Sequence, residues 1–200
     1  KITFIPEDTF FDLPALESLR IFWSEFQTLP SNLFLFSNNL ITLILGVNRQ
    51  LTQIPDDLFK NAQKLKELRM WSCSNLKLKN NSFWNLPELE KFKLGISNLT
   101  KLPENLLANS QKLKRLSLAR NKIKTLEKKF TENIPEIEFL ILKFNPLELD
   151  QSSFIEFLQL KELNIEACGL TNLPKSIFDF QTYLEVLNLA GNHLTVLTEN

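Results

Sequence analysis

The chain has 200 residues, of which 44% are hydrophobic and 23% are charged, as is typical of a folded domain. Its 23 Lys and Arg residues balance its 23 Asp and Glu residues, so no overall field favours nucleic acid or an anionic membrane. The longest apolar stretches, such as Leu40 to Val47, are far shorter than the ~20 residues of a membrane helix. Any charge-based recognition must therefore be local.

One sequence pattern, LxxLxLxxNxLxxLP, recurs along the whole chain. Residues 1–15 match the second half of a copy, and eight further copies begin at Leu16, Leu40, Leu65, Leu89, Leu113, Ile137, Leu160 and Leu184. All 24 residues at the first, fourth and sixth positions of these copies are Leu, Ile, Met or Phe. Independent draws would give this result with a probability on the order of 10⁻⁹. Residues 1–200 are therefore predicted to form a single repeat array.

Each copy is predicted to begin with a short strand that has one buried face, because its xLxLx segment alternates apolar and polar residues. In the fifth copy, Leu116 and Leu118 should point inward while Arg115 and Ser117 point outward. A copy is too short for a full helical crossover, so the chain should return by turns or 3₁₀ structure. The predicted fold is an α/β solenoid, a horseshoe with a parallel β-sheet on its concave face and mostly irregular or 3₁₀ convex arcs.

The return arcs carry a column of apolar residues and a column of prolines. The apolar column consists of Phe10, Phe34, Phe59, Phe83, Leu107, Phe130, Phe154 and Phe178. Proline follows the last apolar position of the motif at Pro6, Pro30, Pro55, Pro103 and Pro174. Its fixed φ and missing N–H suit a chain that leaves a sheet. Since the chain has only 4 glycines, prolines are predicted to set the bends.

The ninth position of each copy turns the chain after the strand. It is occupied by Ser24, Asn48, Cys73, Ser97, Asn121, Asn145, Cys168 and Asn192. Small polar side chains are needed there to satisfy buried backbone groups. The two cysteines lie four copies apart, about 19 Å, which far exceeds the ~7 Å limit between the Cα atoms of a disulfide. Both are therefore predicted to be free, buried thiols.

Catalytic chemistry is not indicated by the motifs of the chain. His193 is the single histidine, it has no partner in a nucleophile motif, and the chain has no glycine-rich phosphate loop. Solenoids present broad faces rather than closed pockets. We predict no catalytic residue, no metal site and no cofactor, and hence a binding module rather than an enzyme.

Aromatic and basic residues gather on and beside the outward strand positions of the first four copies. The predicted ligand-binding residues are Arg20, Phe22, Trp23, Ile44, Arg69, Trp71 and Lys93. These residue types are enriched at interface hot spots. An equally supported alternative is that the rings lie flat across adjacent strands and cover backbone, with arginines stacked on them. For a smaller cluster at Phe139, Ile141, Lys143 and Phe144, such packing is the favoured interpretation.

Two further surface features bear on partners. Lys91, Lys93, Arg115 and Arg120 form a modest basic strip, but Glu67, Glu90 and Glu162 flank it and disfavour nucleic-acid binding. Asn80 and Asn98 begin glycosylation sequons, and Asn98 is predicted to face solvent. Two sequons are no more than chance predicts for this composition, so they do not show secretion.

The longer segments LPSNLF (Leu29 to Phe34), IPDDLF (Ile54 to Phe59), LPENLL (Leu102 to Leu107) and LPKSIF (Leu173 to Phe178) resemble the extracellular leucine-rich repeats of Toll and Toll-like receptors, most of all the insect Toll type. The resemblance implies an extracellular ligand-recognition segment of an innate immune or developmental receptor. It would bind a protein ligand on the concave or lateral face, without membrane contact of its own, and could take part in receptor dimerisation.

Two alternatives to a receptor stay open. One is a secreted leucine-rich repeat protein of immunity or adhesion that lacks a signalling domain, and the other is an intracellular or bacterial module that recruits substrates to an attached enzyme. Neither end of the chain offers the polar terminal coil that a solenoid needs. The array is therefore predicted to lack both caps and to come from the interior of a longer protein.

Overall fold

The computed structural model describes residues 1–197 as a solenoid with one strand in each predicted copy. The strands are β1 (Ser18–Phe22), β2 (Thr42–Gly46), β3 (Glu67–Trp71), β4 (Lys91–Gly95), β5 (Arg115–Ser117), β6 (Phe139–Ile141), β7 (Glu162–Asn164) and β8 (Val186–Asn188). They form one parallel sheet in the order β1 to β8. The predicted fold class is confirmed.

Residues at the same position of neighbouring copies lie side by side across the sheet. Leu43 of β2, for example, pairs with Leu19 of β1 and with Leu68 of β3. Leu116 and Leu118 are fully buried, as the alternation predicted. The equivalent Leu187 in β8 is 38% exposed, because no described strand pairs with the outer edge of β8. Burial of one copy thus depends on its neighbours.

The return arcs consist mainly of consecutive tight turns, in which a backbone N–H donates to the carbonyl three residues earlier. The carbonyls of all five predicted bend prolines accept such a bond, at 3.1 to 3.3 Å. The one helix among residues 1–197 is the four-residue α1 (Lys128–Thr131). Inside the arcs, Phe34 lies between Phe10 and Phe59, with ring centroids 6.4 and 6.3 Å apart. The predicted aromatic spine is therefore present.

The ninth position, which we call the ladder position, joins each copy to the one before it. The buried Asn121 accepts hydrogen bonds at Oδ1 from the N–H groups of Ser97 (2.9 Å) and Leu99 (3.3 Å). Its Nδ2 donates to the carbonyls of Leu94 (2.8 Å) and Leu118 (2.9 Å). One side chain therefore satisfies four backbone groups of two copies that the sheet leaves unpaired.

The two cysteines occupy ladder positions as free, buried thiols, as predicted. The Sγ of Cys168 donates to the carbonyl of Leu142 at 3.5 Å, as an asparagine amide does elsewhere. Burial raises the pKa of Cys73 to about 11 and also raises that of Cys168. Both thiols stay protonated near neutral pH, so neither is an activated nucleophile.

The eighth position, which we call the turn position, has a positive φ in every copy. Its residues are Trp23, Val47, Ser72, Ile96, Arg120, Phe144, Ala167 and Gly191, with φ between 52° and 68°. In this conformation the N–H of Ile96 still donates to the carbonyl of Ala119 in the next copy. The next residue, Ser97, then lies at the ladder position. A left-handed conformation costs a non-glycine residue roughly 1–2 kcal/mol. Only the last copy relieves this strain with glycine.

The second position, just before each strand, forms a charge row along the array. Its residues from the third copy onward are Lys66, Glu90, Lys114, Glu138, Lys161 and Glu185. Lys66 Nζ lies 2.9 Å from Glu90. Lys114 and Lys161 lie 2.8 and 2.7 Å from the two carboxylate oxygens of Glu138, whose side chain is 17% exposed. Alternating charge thus links successive copies, and it is visible in the sequence once the register is known.

Replacement of Asn121 by leucine is expected to lower the free energy of unfolding by at least about 1–3 kcal/mol, because buried N–H and carbonyl groups lose their partner. Urea denaturation monitored by circular dichroism measures this change. Asn105→Leu, at an exposed site on a return arc, is the control and should change stability by less than about 0.5 kcal/mol. Equal stabilities of the two variants would contradict the role of the ladder.

The substitution Ile96→Gly is expected to raise the free energy of unfolding by up to about 1 kcal/mol, since relief of the left-handed strain outweighs the added entropy of the unfolded chain. The lost side chain is 48% exposed and contributes little packing. Ile155→Gly is the matched control, because Ile155 is also partly exposed but is not among the positive-φ residues. It should destabilise the protein. A parallel loss of stability in Ile96→Gly would show that the turn is not strained.

The pKa of Glu138 is held below its ordinary value by hydrogen bonds from Lys114 and Lys161. A depressed carboxyl pKa stabilises the fold above the unfolded-state pKa of about 4.3 and ceases to do so as the pH falls through the folded-state value. Glu138→Gln should therefore lose less stability than the unchanged protein between about pH 5 and pH 3. Urea midpoints across this range measure the difference, and Glu185→Gln, exposed at the same repeat position, should retain the original pH dependence.

Candidate protein-binding face

The outward residues of the eight strands form three columns, at the third, fifth and seventh positions, which together we call the sheet face. The third positions are Ser18, Thr42, Glu67, Lys91, Arg115, Phe139, Glu162 and Val186. The fifth positions are Arg20, Ile44, Arg69, Lys93, Ser117, Ile141, Asn164 and Asn188. The seventh positions are Phe22, Gly46, Trp71, Gly95, Ala119, Lys143, Glu166 and Ala190. The parallel register places each of these side chains beside its equivalents in the adjoining copies. Bulky aromatic and cationic groups therefore lie together over β1 to β4.

The rings of Phe22 and Trp71 meet over Gly46, which lies between them in the register. Their centroids are 5.6 Å apart. A Cβ atom at Gly46 would lie 2.5 Å from Cζ2 of Trp71 and 2.7 Å from Cδ1 of Phe22. Glycine is therefore required here because the two rings occupy the space of a side chain. The rings cover the backbone, and both are half-buried.

Trp23 extends this cluster from the sheet face to the edge of the sheet. It occupies a turn position with φ 54°, its ring centroid lies 5.9 Å from that of Phe22, and it is 65% exposed. A cavity of about 290 Å³ next to it is lined by Val47, Arg49 and other residues of the first two copies. We call Phe22, Trp23 and Trp71 the aromatic patch. It is continuous, strained at one residue and open to solvent.

The remaining residues that were predicted to bind a ligand differ in accessibility. Arg20 and Lys93 are exposed, and the ammonium nitrogen of Lys93 lies 5.8 Å from the centre of the Trp71 ring. Arg69 is exposed but forms an ion pair with Glu67. Ile44 is only 8% exposed, because it lies between longer side chains of the neighbouring strands. It supports the patch from below and offers little surface to a ligand, which departs from the expectation.

Further along the sheet, aromatic rings are covered by arginines. The guanidinium of Arg115 lies 3.9 Å from the centre of the Phe139 ring, and that of Arg120 lies 4.1 Å from the centre of the Phe144 ring. Both rings are half-buried. The structure thus agrees with packing for this second cluster. The Arg115 contact was not foreseen, although the two residues hold the same position in successive copies.

A wide groove lies outside the sheet face, where the third and fourth copies leave their strands. It encloses about 960 Å³ and is lined by both sequon residues, Asn80 and Asn98. Both are exposed, and Asn98 has φ 57°. The described residues that line it supply lysine, threonine, asparagine and glutamate groups, but no histidine or cysteine. Attachment of glycans to either asparagine remains a prediction.

Among residues 1–197, no three His, Cys, Asp or Glu side chains come close enough together to hold a metal ion. No helix in the described range has the length and hydrophobicity to cross a membrane.

Comparison with solved structures finds the same fold in other proteins, among them Drosophila Toll and APL1B. The structure of the Drosophila Toll–Spatzle complex in its glycosylated form matches 99% of this chain with a TM-score of 0.81 and 21% identity. The leucine-rich repeat domain of APL1B matches 96% with a TM-score of 0.64 and 21% identity. The chain spans 30% and 60% of the lengths of these two proteins. The predicted likeness to Toll repeats is thus confirmed for the fold.

The comparison with curated protein sequences gives no significant match. A family model for BspA type leucine-rich repeat regions, which comprises 6 copies, matches residues 1–90, 45–161 and 100–200. These overlapping matches extend over the whole chain. The chain therefore belongs to the BspA type leucine-rich repeat family.

Proposed function

We propose that this chain binds a protein partner through the aromatic patch on its sheet face. The observation that carries the proposal is the half-buried pair of rings at Phe22 and Trp71, continued by the strongly exposed Trp23. Exposed tryptophans that cluster, rather than scatter, are typical of interfaces. The rings are also preorganised, because their contact over Gly46 fixes them before a partner arrives.

We further propose that the chain is a ligand-recognition segment of a Toll-like receptor ectodomain, and hence extracellular. The likeness of its repeats to those of Toll, which was solved in complex with Spatzle, supports this proposal. Two exposed sequons are compatible with an extracellular location. Receptor dimerisation is part of the same proposal. A secreted repeat protein without a signalling domain is the second candidate, and the match to the leucine-rich repeat domain of APL1B supports the shared fold alone.

Both candidates describe an interaction scaffold rather than an enzyme, as is typical of leucine-rich repeat solenoids. The third alternative, a repeat module attached to a catalytic domain, would use the same face to recruit its substrates. The three candidate functions differ in the domains to which the repeats are attached. In all three, the same surface would contact the partner protein.

Replacement of Trp71 by alanine is expected to weaken binding of the partner by 10-fold or more, as removal of about 2 kcal/mol at a hot spot does. Immobilised chain would capture partners from its native source, and quantitative mass spectrometry would compare the captured proteins. Phe22→Ala should lose the same set. Trp84→Ala, at a partly exposed tryptophan on a return arc, is the control and should retain it.

If the Trp71→Ala and Phe22→Ala variants still capture the same partner proteins and the Trp84→Ala variant does not, the interface lies on the return arcs. Thermal melts of all three variants must first show a folded protein, since the two sheet-face rings also pack on Gly46. Gly46→Ala supplies an independent test, because it displaces the two rings without removing either. It should weaken capture in the same direction.

A further inference from the structure

A cluster of positive charge lies on the sheet face beside the aromatic patch. Lys91, Lys93 and Arg115 project from β4 and β5. None of the three forms an ion pair with any carboxylate in residues 1–197. We call these three residues the cation cluster. In a chain with no net charge, three adjacent uncompensated cations form a distinct local feature.

The register makes this cluster unfavourable for the fold. Lys91 lies between Arg115 on one side and Glu67, which is engaged by Arg69, on the other, and Lys93 lies directly beside Arg69. Like charges at paired positions of adjacent strands, about 4.8 Å apart, are destabilising. One residue earlier in the same copies, the charge row shows the opposite arrangement, since Lys66 pairs with Glu90 and Lys114 pairs with Glu138. The charge row thus pairs opposite charges, whereas the cation cluster places Lys91 beside Arg115 and Lys93 beside Arg69.

Aromatic rings hold two of these cations in place without neutralising them. Arg115 stacks on Phe139, with 3.9 Å from the guanidinium carbon to the ring centre, and Lys93 lies 5.8 Å from the centre of the Trp71 ring. Ring faces restrict the motion of a cation but leave its N–H donors free for an anion. The two stacked pairs stand at opposite ends of the cluster.

Between them the face is recessed. A cavity of about 140 Å³ is lined by the three cations together with Arg69, Ser117 and Ile141, among others. This volume suits a carboxylate side chain, with the apolar base against its methylene groups and the N–H donors around its oxygens. Glu67 also lines the cavity, but it is engaged by Arg69.

We propose that the cation cluster is a binding site for an acidic segment of a protein partner, with one carboxylate seated in the cavity. The inference rests on the proposed protein-binding function and names the chemistry of the partner. Charge complementarity selects a short acidic segment over a long polyanion such as DNA. Glu162 has no ion-pair partner in residues 1–197, and it lies two strands beyond Arg115, where it would repel an anionic backbone that ran past the cluster.

A fluorescein-labelled deca-glutamate peptide is a suitable probe, with fluorescence anisotropy as the readout at low and at physiological ionic strength. The peptide should bind, and the variant Lys91→Gln with Lys93→Gln and Arg115→Gln should bind it roughly tenfold more weakly. The variant Lys60→Gln with Lys101→Gln and Lys175→Gln removes the same charge from exposed lysines on the return arcs. It should bind the peptide as the unchanged chain does.

Thermal melts separate recognition from a structural role. Removal of the three like charges should leave the melting temperature unchanged or raise it, whereas a structural role for these cations would lower it. Phe22→Ala should retain peptide binding, because Phe22 lies on β1, away from the cluster. A failure of the aromatic patch would thus be distinguishable from a failure of the cation cluster.

Three results would overturn the proposal. The first is no peptide binding at low ionic strength, and the second is equal weakening in both triple variants, which would indicate non-specific attraction. The third is tighter binding of a ten-nucleotide single-stranded DNA than of the peptide, which would show a preference for a polyanionic backbone. Loss of peptide binding in the variant with Lys91→Gln, Lys93→Gln and Arg115→Gln, but not in the return-arc variant, would support the proposal if the melting temperature is not lowered.

Discussion

The fold depends on one constraint, which is that no coil can bury its apolar positions without the coils on either side. A strand of three to five residues has too little surface to form a core alone. Stacking at a constant register solves this problem, because Leu43 then packs beside Leu19 and Leu68, and each buried column becomes continuous. Where a neighbour is missing, as beyond β8, a core position such as Leu187 is exposed.

The same register also determines the contacts in every other column of residues, including contacts that lower stability. At the ladder position it brings Asn121 within hydrogen-bond distance of two copies. In the charge row it places opposite charges together, and in the cation cluster it places like charges together. At the seventh position it sets two aromatic rings on either side of a glycine. The columns that stabilise the stack are therefore distinct from the columns that carry the proposed binding residues.

Strain is distributed in the same way. All eight copies use a left-handed residue to leave the strand, and seven of them place a side chain there despite the cost. Where that side chain is Trp23, the cost coincides with the most exposed aromatic group of the patch. Costs at residues of a surface suited to binding are common, because a site needs side chains that the fold alone would not select.

The period could be predicted from the order of residues alone, and with it the inward positions, the phenylalanine spine, the proline turns and the free cysteines. These features follow from spacing along one chain, since a residue's position within its copy fixes which way it points. The predicted attachment of the array to a longer protein and its partner remain predictions. They depend on molecules and segments that no repeat position encodes.

The contacts between equivalent residues of different copies became apparent only in the three-dimensional fold. The burial of Ile44, the stacking of Arg115 on Phe139 and the fit of two rings over Gly46 depend on side-chain directions between strands. A linear pattern gives each copy's outward residues but not which of them cover each other. The positive φ of the turn position could not be predicted from residue type either, because residues as different as Trp23 and Val47 adopt it. The hydrogen bonds of the sheet and of the ladder on either side impose this conformation.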